Sequence, residues 1–333
     1  MIKEQVRIYQ AVYKGLPAVI MENRALQVTF VPSLGAKMAS LLDKETGREY
    51  LWQEAAAVCR RPEYDSPFED WDMFGFDEMF PTIVECYYEK APWRGSRLPD
   101  HGEVWALPWD WERNGDSLLF WVHGVRLPYR LEKRVSFRDL RIIRSDYQVT
   151  NPAAFDFDFI WAAHPLFNIS AGTRIILPGE VQSIVNTHAT SKRLGRYGRR
   201  HPWPTTQALD GSSYDIGCIC PNEGRHCEKY YVPDRLTEGW AALYHPLSHE
   251  AVAFSFPVEA VPFLGVWVNE GALAGQYNAA LEPCTGAFDR VDVAARCAKT
   301  ATLKAKSSYQ WYLNLTLGKV DCFAGVDQDG VLL

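Results

Sequence analysis

The sequence predicts an all-β protein, an antiparallel sandwich, on three observations. Apolar and polar residues alternate over several segments, turn-forming residues separate those segments, and no stretch of twelve or more residues has the apolar spacing of an amphipathic helix. The chain has 333 residues, which is long for one domain, but β-sandwiches often exceed 200 residues. Because neither an internal repeat nor a linker divides the sequence, we predict a single domain over residues 1–333.

Strict alternation marks two segments most clearly. In residues 155–161, Phe155, Phe157, Phe159 and Trp161 share one face. The same period recurs at 309–317, where the residues on one face are Tyr309, Trp311, Leu313, Leu315 and Leu317. This period, with aromatic and β-branched residues, is typical of half-buried strands. Further strands are predicted at Leu26–Val31, Lys37–Leu42, Leu118–Val122, Leu131–Phe137, Arg141–Thr150, Ala251–Phe256, Phe263–Val268 and Tyr277–Leu281.

Turns and long loops connect these strands. Turn residues stand at 43–47, at 113–116 and at Asn151-Pro152. Two polar segments, Glu54–Asp72 and Ser191–Asp215, are predicted as long loops, which in a compact domain are usually functional or mobile. The tail after Gly318 is expected to attach loosely.

The composition excludes several classes of protein. Lys plus Arg number 35 and Asp plus Glu number 41, so the formal charge of −6 argues against nucleic-acid binding. The longest apolar stretch, residues 251–268, is broken by prolines and a glutamate and is not a membrane span. The N-terminus lacks the apolar core of a signal peptide. We therefore expect a cytoplasmic protein whose eight cysteines are mostly reduced thiols.

Two titratable residues directly precede a proline at the end of a predicted strand. His164 precedes Pro165 at the end of the strand at 155–161, on the face opposite its aromatic residues if the register continues. Its reference pKa of about 6.5 suits proton transfer, although a hydrogen-bonded structural histidine is the alternative. Glu282 lies on an apolar strand before Pro283 and is either used chemically or paired with a buried arginine or a nest of backbone amides.

A third candidate, His101, lies in a loop between Pro99 and Gly102, where it can reach a ligand or simply face solvent. Together the three segments read DHG-x-x-W, HP-x-FN and LEP-x-TG in that order. This ordered set resembles the aldose 1-epimerase, or galactose mutarotase-like, family. Supporting similarity is found at residues 34–51, at the DEMFP segment (77–81) and at 265–270, so the resemblance covers about 20–318, which we take as the core.

The resemblance implies a large antiparallel β-supersandwich with few short helices and an open cleft on one sheet. It implies that His164 is the general acid, that Glu282 is the general base, and that His101 contacts the substrate. The implied reaction interconverts the α and β anomers of a free aldose and needs no cofactor. A base takes the proton of the C1 hydroxyl while an acid protonates the ring oxygen, and the roles reverse on ring closure.

Further residues are predicted to contact the sugar. The family carries an early arginine, and Asp77 and Glu78 stand where that segment falls, so we expect them to take over hydroxyl recognition. Asn168 belongs to the HP-x-FN motif, and Trp105 and Trp267 flank the motifs, either stacking on sugar or filling the core. Lys229 and Asn269 complete the candidates as hydroxyl ligands.

Two other clusters carry weaker signals. Cys218, Cys220, His226 and Cys227 could supply metal ligands, but their spacing matches no standard zinc motif, so reduced thiols are favoured and no metal site is predicted. A basic stretch at 192–201 is interpreted as solvated surface, with attraction of an anionic sugar as the alternative.

The predicted partner is a monosaccharide, and the oligomeric state is left open. Two other functions remain possible on the same scaffold. One is a non-catalytic carbohydrate-binding protein, against which the matched pair of acid and base argues. The other is a glycan lyase or hydrolase, the latter of which normally uses two carboxylates flanking the scissile bond.

Overall fold

Twenty-six strands dominate the computed structural model, which describes residues 5–188 and 192–333. In chain order they are β1 (Arg7–Tyr13), β2 (Leu16–Glu22), β3 (Leu26–Val31), β4 (Lys37–Asp43), β5 (Phe76–Met79), β6 (Cys86–Tyr87), β7 (Arg97–Leu98), β8 (Asp110–Asn114), β9 (Ser117–His123), β10 (Arg130–Asp139), β11 (Ile142–Thr150), β12 (Phe157–Phe159), β13 (Ala162–Pro165), β14 (Phe167–Asn168), β15 (Arg174–Ile176), β16 (Ser183–Asn186), β17 (Arg200–Pro202), β18 (Thr205–Gln207), β19 (Ser213–Asp215), β20 (His226–Tyr231), β21 (Trp240–His245), β22 (Glu250–Ser255), β23 (Phe263–Glu270), β24 (Tyr277–Cys284), β25 (Ala301–Leu303) and β26 (Ser308–Lys319).

Helices are few, as predicted. The described residues contain one α-helix, α1 (Val291–Arg296), and three short 3₁₀ helices at Phe68–Asp70, Val104–Ala106 and Asn222–Gly224. None of these helices is long and apolar enough to cross a membrane.

Two large sheets hold most of the strands. The twelve-stranded sheet runs β1-β2-β3-β4-β5-β13-β24-β23-β20-β16-β17, with β14 also paired to β24. The eight-stranded sheet runs β15-β21-β22-β26-β11-β10-β9-β8. Every pairing between these strands is antiparallel, which confirms the predicted all-β architecture of large antiparallel sheets.

Aromatic residues join the two sheets. Tyr147 on β11 and Trp311 on β26 stack with ring centroids 5.2 Å apart, and Trp161, just before β13, lies 5.1 Å from Trp311. The buried face of β26 carries Trp311, Leu313, Leu315 and Leu317, as its period predicts. Burial of such large side chains between sheets is the main stabilising contribution to a sandwich.

The predicted strand at 155–161 is wrong in its extent. Only Phe157–Phe159 forms a strand, β12, which pairs with β25 in a separate two-stranded sheet, and Phe155 is 56% exposed. The chain then leaves that ladder, and β13 begins at Ala162 in the twelve-stranded sheet. His164 therefore takes its orientation from β13 and not from a continuous strand.

Two further expectations need correction. The segment predicted as a loop at 191–215 contains β17, β18 and β19, while Ser191 itself lies outside the described residues. The tail after Gly318 packs on the protein, because Thr316 Oγ1 donates to the Gly330 carbonyl (2.6 Å) and Phe323 packs against Trp240 (5.9 Å between ring centroids). The large sheet also begins before residue 20, with β1 and most of β2.

Candidate active site

A cavity of about 420 Å³ lies on the face of the twelve-stranded sheet that is turned away from the other sheet. Two neighbouring residues of β5 show which face of the sheet carries the cavity. Glu78 reaches Tyr147 of the eight-stranded sheet, so Asp77 points the other way. His164 is the register partner of Asp77 and shares its face. The side chains of this outer face form the floor of the cavity.

Strands supply the floor and connecting segments supply the walls. The floor residues are His164 on β13, Lys229 on β20, Trp267 on β23 and Glu282 on β24. Walls come from segments between strands and contribute Pro67, Phe68, Glu69, Met73, Ile83, Val84, Asp100, His101, Leu166, Thr187, His188, Leu273, Gln276 and Asp289. The predicted acid His164, base Glu282 and second histidine His101, which lie up to 181 positions apart in sequence, thus line one cavity.

The register of β24 places Glu282 opposite His164. Ala162 pairs with Cys284 before this point, and Phe167 pairs with Ala279 after it, with no shift in register between the two pairs. Counting along the antiparallel strands from either pair brings position 164 to face position 282. Facing residues in adjacent antiparallel strands have Cβ atoms roughly 4.5–5.5 Å apart.

Glu282 is fully buried and has one oxygen in use. Lys229 Nζ donates to Oε2 of Glu282 at 2.7 Å and lies 3.2 Å from Oδ1 of Asp289. The other oxygen, Oε1, has no hydrogen-bond partner among the described residues, and neither does Nδ1 of His164. An unpartnered buried oxygen and an unpartnered buried nitrogen on facing residues are suited to accepting or donating protons.

Gly265 makes room for this ion pair. It is the register partner of both Glu282 and Tyr231, so it lies between them on the floor. A Cβ at this position would lie 3.1 Å from Oε2 of Glu282 and 3.2 Å from Cζ of Tyr231. The absence of a side chain therefore lets Lys229 and Glu282 meet across β23.

His101 forms part of the cavity wall, in the turn that follows β7. It adopts a positive φ of 56° in the turn closed by Gly102, whose amide donates to the Pro99 carbonyl at 3.0 Å. Gly102 lies so close to Phe80 that a Cβ would come within 2.2 Å of its carbonyl oxygen. The His101 ring stacks on Phe68 at 4.2 Å and lies 5.2 Å from the ring of His164, while its Nδ1 is 3.1 Å from Oδ1 of Asp100.

Burial shifts the pKa values of the two facing residues in opposite directions. Burial raises the pKa of Glu282, although the charge and hydrogen bond of Lys229 oppose the rise. Burial also lowers the pKa of His164 well below its usual value, and the neighbouring charges of His101, Lys229 and Lys37 lower it further. The raised pKa of Glu282 agrees with what an acid–base role in both directions requires, whereas the lowered pKa of His164 disfavours the imidazolium form of the predicted acid.

Glu78 does not contact the cavity, and the expectation that it binds a sugar hydroxyl is corrected. Its carboxylate accepts hydrogen bonds from Tyr147 (2.9 Å) and from Trp161 Nε1 (2.8 Å), and it pairs with Lys133 (3.2 Å) between the sheets. Adjacent residues of a strand face opposite sides, so Asp77 and Glu78 cannot both face the cavity.

Asp77, Trp105, Asn168 and Asn269 lie near the cavity but do not line it. Asp77 forms a buried ion pair with Lys37 (2.8 Å). Trp105 packs edge-on against Phe68, and the Asn168 side chain donates to the carbonyls of Glu49 and Leu51. Asn269 donates to the Leu273 carbonyl and accepts from its amide. Trp105 and Asn269 therefore contact the lining residues Phe68 and Leu273, whereas the contacts of Asp77 and Asn168 are with residues outside the lining.

Several cavity residues escaped sequence reasoning, and Asp289 is the most significant. Asp289 lines the cavity seven positions after Glu282 and reaches the same lysine. The FDR sequence around it carries no motif. Phe68 was hidden in the segment predicted as a polar loop; an aromatic residue within such a segment is the signal that could have revealed it.

The cysteine cluster (Cys218, Cys220, His226 and Cys227) lies within the described part of the chain. Among the residues described, no three His, Cys, Asp or Glu side chains are placed to hold a metal ion. Burial raises the pKa of Cys227 to about 12, which keeps it a thiol. Most of the basic stretch is the solvated surface that was predicted, since Lys192, Arg196, Arg199 and Arg200 are exposed. Two of its members depart from that prediction, because Arg193 pairs with Glu228 (3.0 Å) and Glu270 (2.8 Å), and His201 is buried.

Solved structures share this architecture over nearly the whole chain. The Slr1438 protein from Synechocystis sp. PCC 6803 superimposes with a TM-score of 0.66 at 15% identity, covering 95% of this chain and 97% of the other. A galactose mutarotase related enzyme from Lactobacillus acidophilus gives 0.63 at 15% identity, covering 94% and 98%. The chain has the galactose mutarotase-like fold.

The same fold extends to a eukaryotic protein. The GalM/aldose epimerase homologue from C. elegans has a TM-score of 0.59 at 12% identity and covers 95% of this chain and 100% of its own. No protein-family model matches the sequence, and no curated protein matches it. At these identities the likeness shows the galactose mutarotase-like fold and leaves the activity to be argued from the site.

Proposed function

We propose that this protein is a cofactor-independent mutarotase, or aldose 1-epimerase, that interconverts the α and β anomers of a free aldose. The observation that carries the proposal is the facing pair His164 and Glu282, each with an unpartnered atom, on the floor of a cavity of about 420 Å³. The galactose mutarotase-like fold and the sugar-related names of proteins that share it support the choice of substrate class.

The reaction needs one proton held by the pair. Glu282 takes the proton of the C1 hydroxyl while His164 gives a proton to the ring oxygen, and the C1–O5 bond breaks to leave a free aldehyde. Rotation about C1–C2 presents the other face of the carbonyl to O5. On closure the ring oxygen returns its proton to His164, and Glu282 protonates the new C1 oxygen, so atoms and charges balance.

The electrostatics of the site act on both groups. Burial lowers the pKa of His164 and raises that of Glu282, so both shifts disfavour the form with imidazolium and carboxylate relative to the form with imidazole and carboxylic acid. In the charged form, the imidazolium is therefore a stronger acid toward the ring oxygen and the carboxylate a stronger base toward the C1 hydroxyl. Lys229 anchors one oxygen of Glu282 and leaves the other without a hydrogen-bond partner among the described residues.

The test is the rate of anomer exchange, measured by saturation-transfer NMR or by polarimetry above the uncatalysed rate. A panel of free aldoses is run with the wild type, Glu282→Gln and His164→Asn. We expect acceleration by the wild type and a loss of about 10²–10⁴-fold in each variant, since each removes one acid–base group. Glu259→Gln and His249→Asn, matched changes at exposed positions outside the cavity, are expected to keep the wild-type rate.

Other outcomes lead to other functions. Saturable sugar binding without acceleration on any aldose would replace the proposal with a carbohydrate-binding protein. Release of reducing ends from an oligosaccharide, lost in Glu282→Gln, would indicate the glycan hydrolase; formation of an unsaturated product would indicate the lyase.

A further inference from the structure

Asp289 contacts the same lysine as Glu282 and can therefore weaken the interaction between that lysine and Glu282. Nζ of Lys229 is 2.7 Å from Oε2 of Glu282 and 3.2 Å from Oδ1 of Asp289, so one ammonium group serves two carboxylates. The Lys229 side chain is only 12% exposed, and that of Glu282 is not exposed at all. In such a buried place the interaction between charges is much stronger than in water.

Asp289 is itself held firmly. Its Oδ1 accepts a hydrogen bond from the Tyr231 hydroxyl at 2.9 Å. Its backbone carbonyl accepts from the amides of both Ile83 and Val84, each at 2.9 Å. These contacts fix the carboxylate at the edge of the cavity, and they do not depend on a bound ligand.

We propose that Asp289 is a positioning residue for Glu282 that acts through Lys229, dividing the charge of the lysine between two carboxylates so that Glu282 remains a competent base. The proposal rests on the acid–base function proposed above. A carboxylate paired alone with a buried ammonium group is stabilised in its ionised form and is a poor proton acceptor. A second carboxylate on the same ammonium group reduces that stabilisation.

The direction of the effect follows from the groups that face Glu282. Burial raises the pKa of Glu282, Lys229 lowers it, the negative charge of Asp289 raises it and His101 lowers it. The titratable and charged groups around Glu282 are Lys229 and Tyr231 on β20, His164 on β13, His101 in the turn after β7, Cys284 on its own strand, and Asp289. Among these neighbours, Asp289 is the acidic residue that directly shares Lys229.

The decisive experiment is a titration of Glu282 that requires no substrate. The δ-carboxyl carbon of Glu282 is followed by NMR in protein labelled with ¹³C-glutamate and is assigned by the signal that Glu282→Gln removes. In Asp289→Asn we expect the titration midpoint to fall by about one pH unit. Asp289→Ala is expected to give the same shift and replaces the asparagine variant if that variant does not fold.

Activity gives a second reading. The pH profile of anomer exchange should move to lower pH in Asp289→Asn on the limb that reports Glu282, and Asp289→Glu should restore it in part. The matched control is Asp292→Asn, three positions away, where the carboxylate pairs with Arg290 and Arg296 outside the cavity. That control should leave the Glu282 titration unchanged.

An unshifted Glu282 titration in folded Asp289→Asn would overturn the proposal. Loss of activity without that shift would also overturn it, since Asp289 would then contact the substrate directly. If the wild type accelerates no aldose, the proposed mutarotase function fails, but the NMR titration still decides whether Asp289 controls Glu282.

Discussion

At the scale of single residues, one position along a strand decides whether a charged side chain lies on the outer face of the twelve-stranded sheet or between the two sheets. Asp77 and Glu78 are consecutive, yet one lies on the outer face beside His164 and the other lies between the sheets. Glu78 there accepts hydrogen bonds from Tyr147 and Trp161 and balances the charge of Lys133, which is almost fully buried.

Glu78→Gln should therefore destabilise the fold. It leaves the Lys133 ammonium group buried without a counter-charge, and breaking a buried ion pair in this way costs about 3–5 kcal/mol. The unfolding free energy from urea titration measures this cost. Glu259→Gln, the same change at an exposed position, should change the unfolding free energy by less than about 0.5 kcal/mol. Equal stability of the two variants would contradict the structural role of Glu78.

Sequence reasoning reached three cavity residues through recognisable motifs, named Lys229 and Trp267 in addition, and missed the others. His101, His164 and Glu282 stand beside proline or glycine, and all three line the cavity. Asp289 could not be found in this way, because its importance comes from the distance to Lys229 across strands. Glu78 was misplaced because a sequence of two acids does not say which one faces the core.

At the scale of elements, the floor of the cavity depends on how closely four strands meet. β20, β23, β24 and β13 are successive neighbours in the sheet, and Gly265 on β23 leaves the space in which Lys229 reaches Glu282. Most strands were predicted correctly because the alternation of apolar and polar residues can be read within each segment. The prediction failed at 155–161 because the change of sheet after β12 depends on the pairing with β25, which is distant in sequence.

Gly265→Ala should impair the site more than the fold. The added methyl group would lie 3.1 Å from Oε2 of Glu282 and would displace that carboxylate or the Tyr231 ring. Gly265 is not among the positive-φ glycines, so the backbone tolerates alanine. We expect the rate of anomer exchange to fall by about tenfold or more, because misplacement of a catalytic group by a few tenths of an ångström is costly. An unchanged rate would show that the floor adapts to the methyl group.

At the scale of the whole molecule, both the chain and the lining of its cavity carry more acidic than basic side chains. The chain carries a formal charge of −6, and within the described residues the cavity is lined by four carboxylates (Glu69, Asp100, Glu282 and Asp289) and one lysine. The basic stretch at 192–201 contributes no residue to the cavity among those described, and its Arg193 is paired with Glu228 and Glu270.

A neutral sugar should therefore be preferred to an anionic one. We expect kcat/KM for an aldohexose 6-phosphate to be about tenfold or more below that for the neutral aldohexose, because like charges repel in a poorly solvated site. Saturation-transfer NMR of both sugars measures the ratio. Raising the salt concentration should reduce the difference, since ions screen the repulsion. A faster reaction of the phosphate would overturn this assignment.

Stability should depend on pH through buried histidines. Burial and the charge of Arg48 lower the pKa of His245 to about 4, whereas in the unfolded chain it is about 6.5. Between these two pKa values, His245 is protonated in the unfolded chain but not in the folded protein. The free energy of unfolding therefore falls as the pH drops below about 6.5. His245 alone accounts for a loss of about 2 kcal/mol between pH 7 and pH 5.

His245→Asn should therefore show a smaller loss of unfolding free energy between pH 7 and pH 5 than the wild type. His249→Asn, at a histidine whose side chain is 53% exposed, should retain the wild-type pH dependence. Urea unfolding at the two pH values provides the comparison. A wild-type pH dependence in His245→Asn would mean that the folded protein protonates this histidine as readily as the unfolded chain does.

The division between a floor of strands and walls of connecting segments has a consequence for how this protein could be diversified. His164 and Glu282 are held by a continuous register, so their spacing is inherited from the ladder itself. Phe68, His188 and Leu273 lie in connections that can be exchanged without disturbing that ladder. Libraries of variants with substitutions confined to those connections should yield proteins with altered sugar preference. The proton-transfer pair should remain intact in them, so that selectivity can change independently of the reaction.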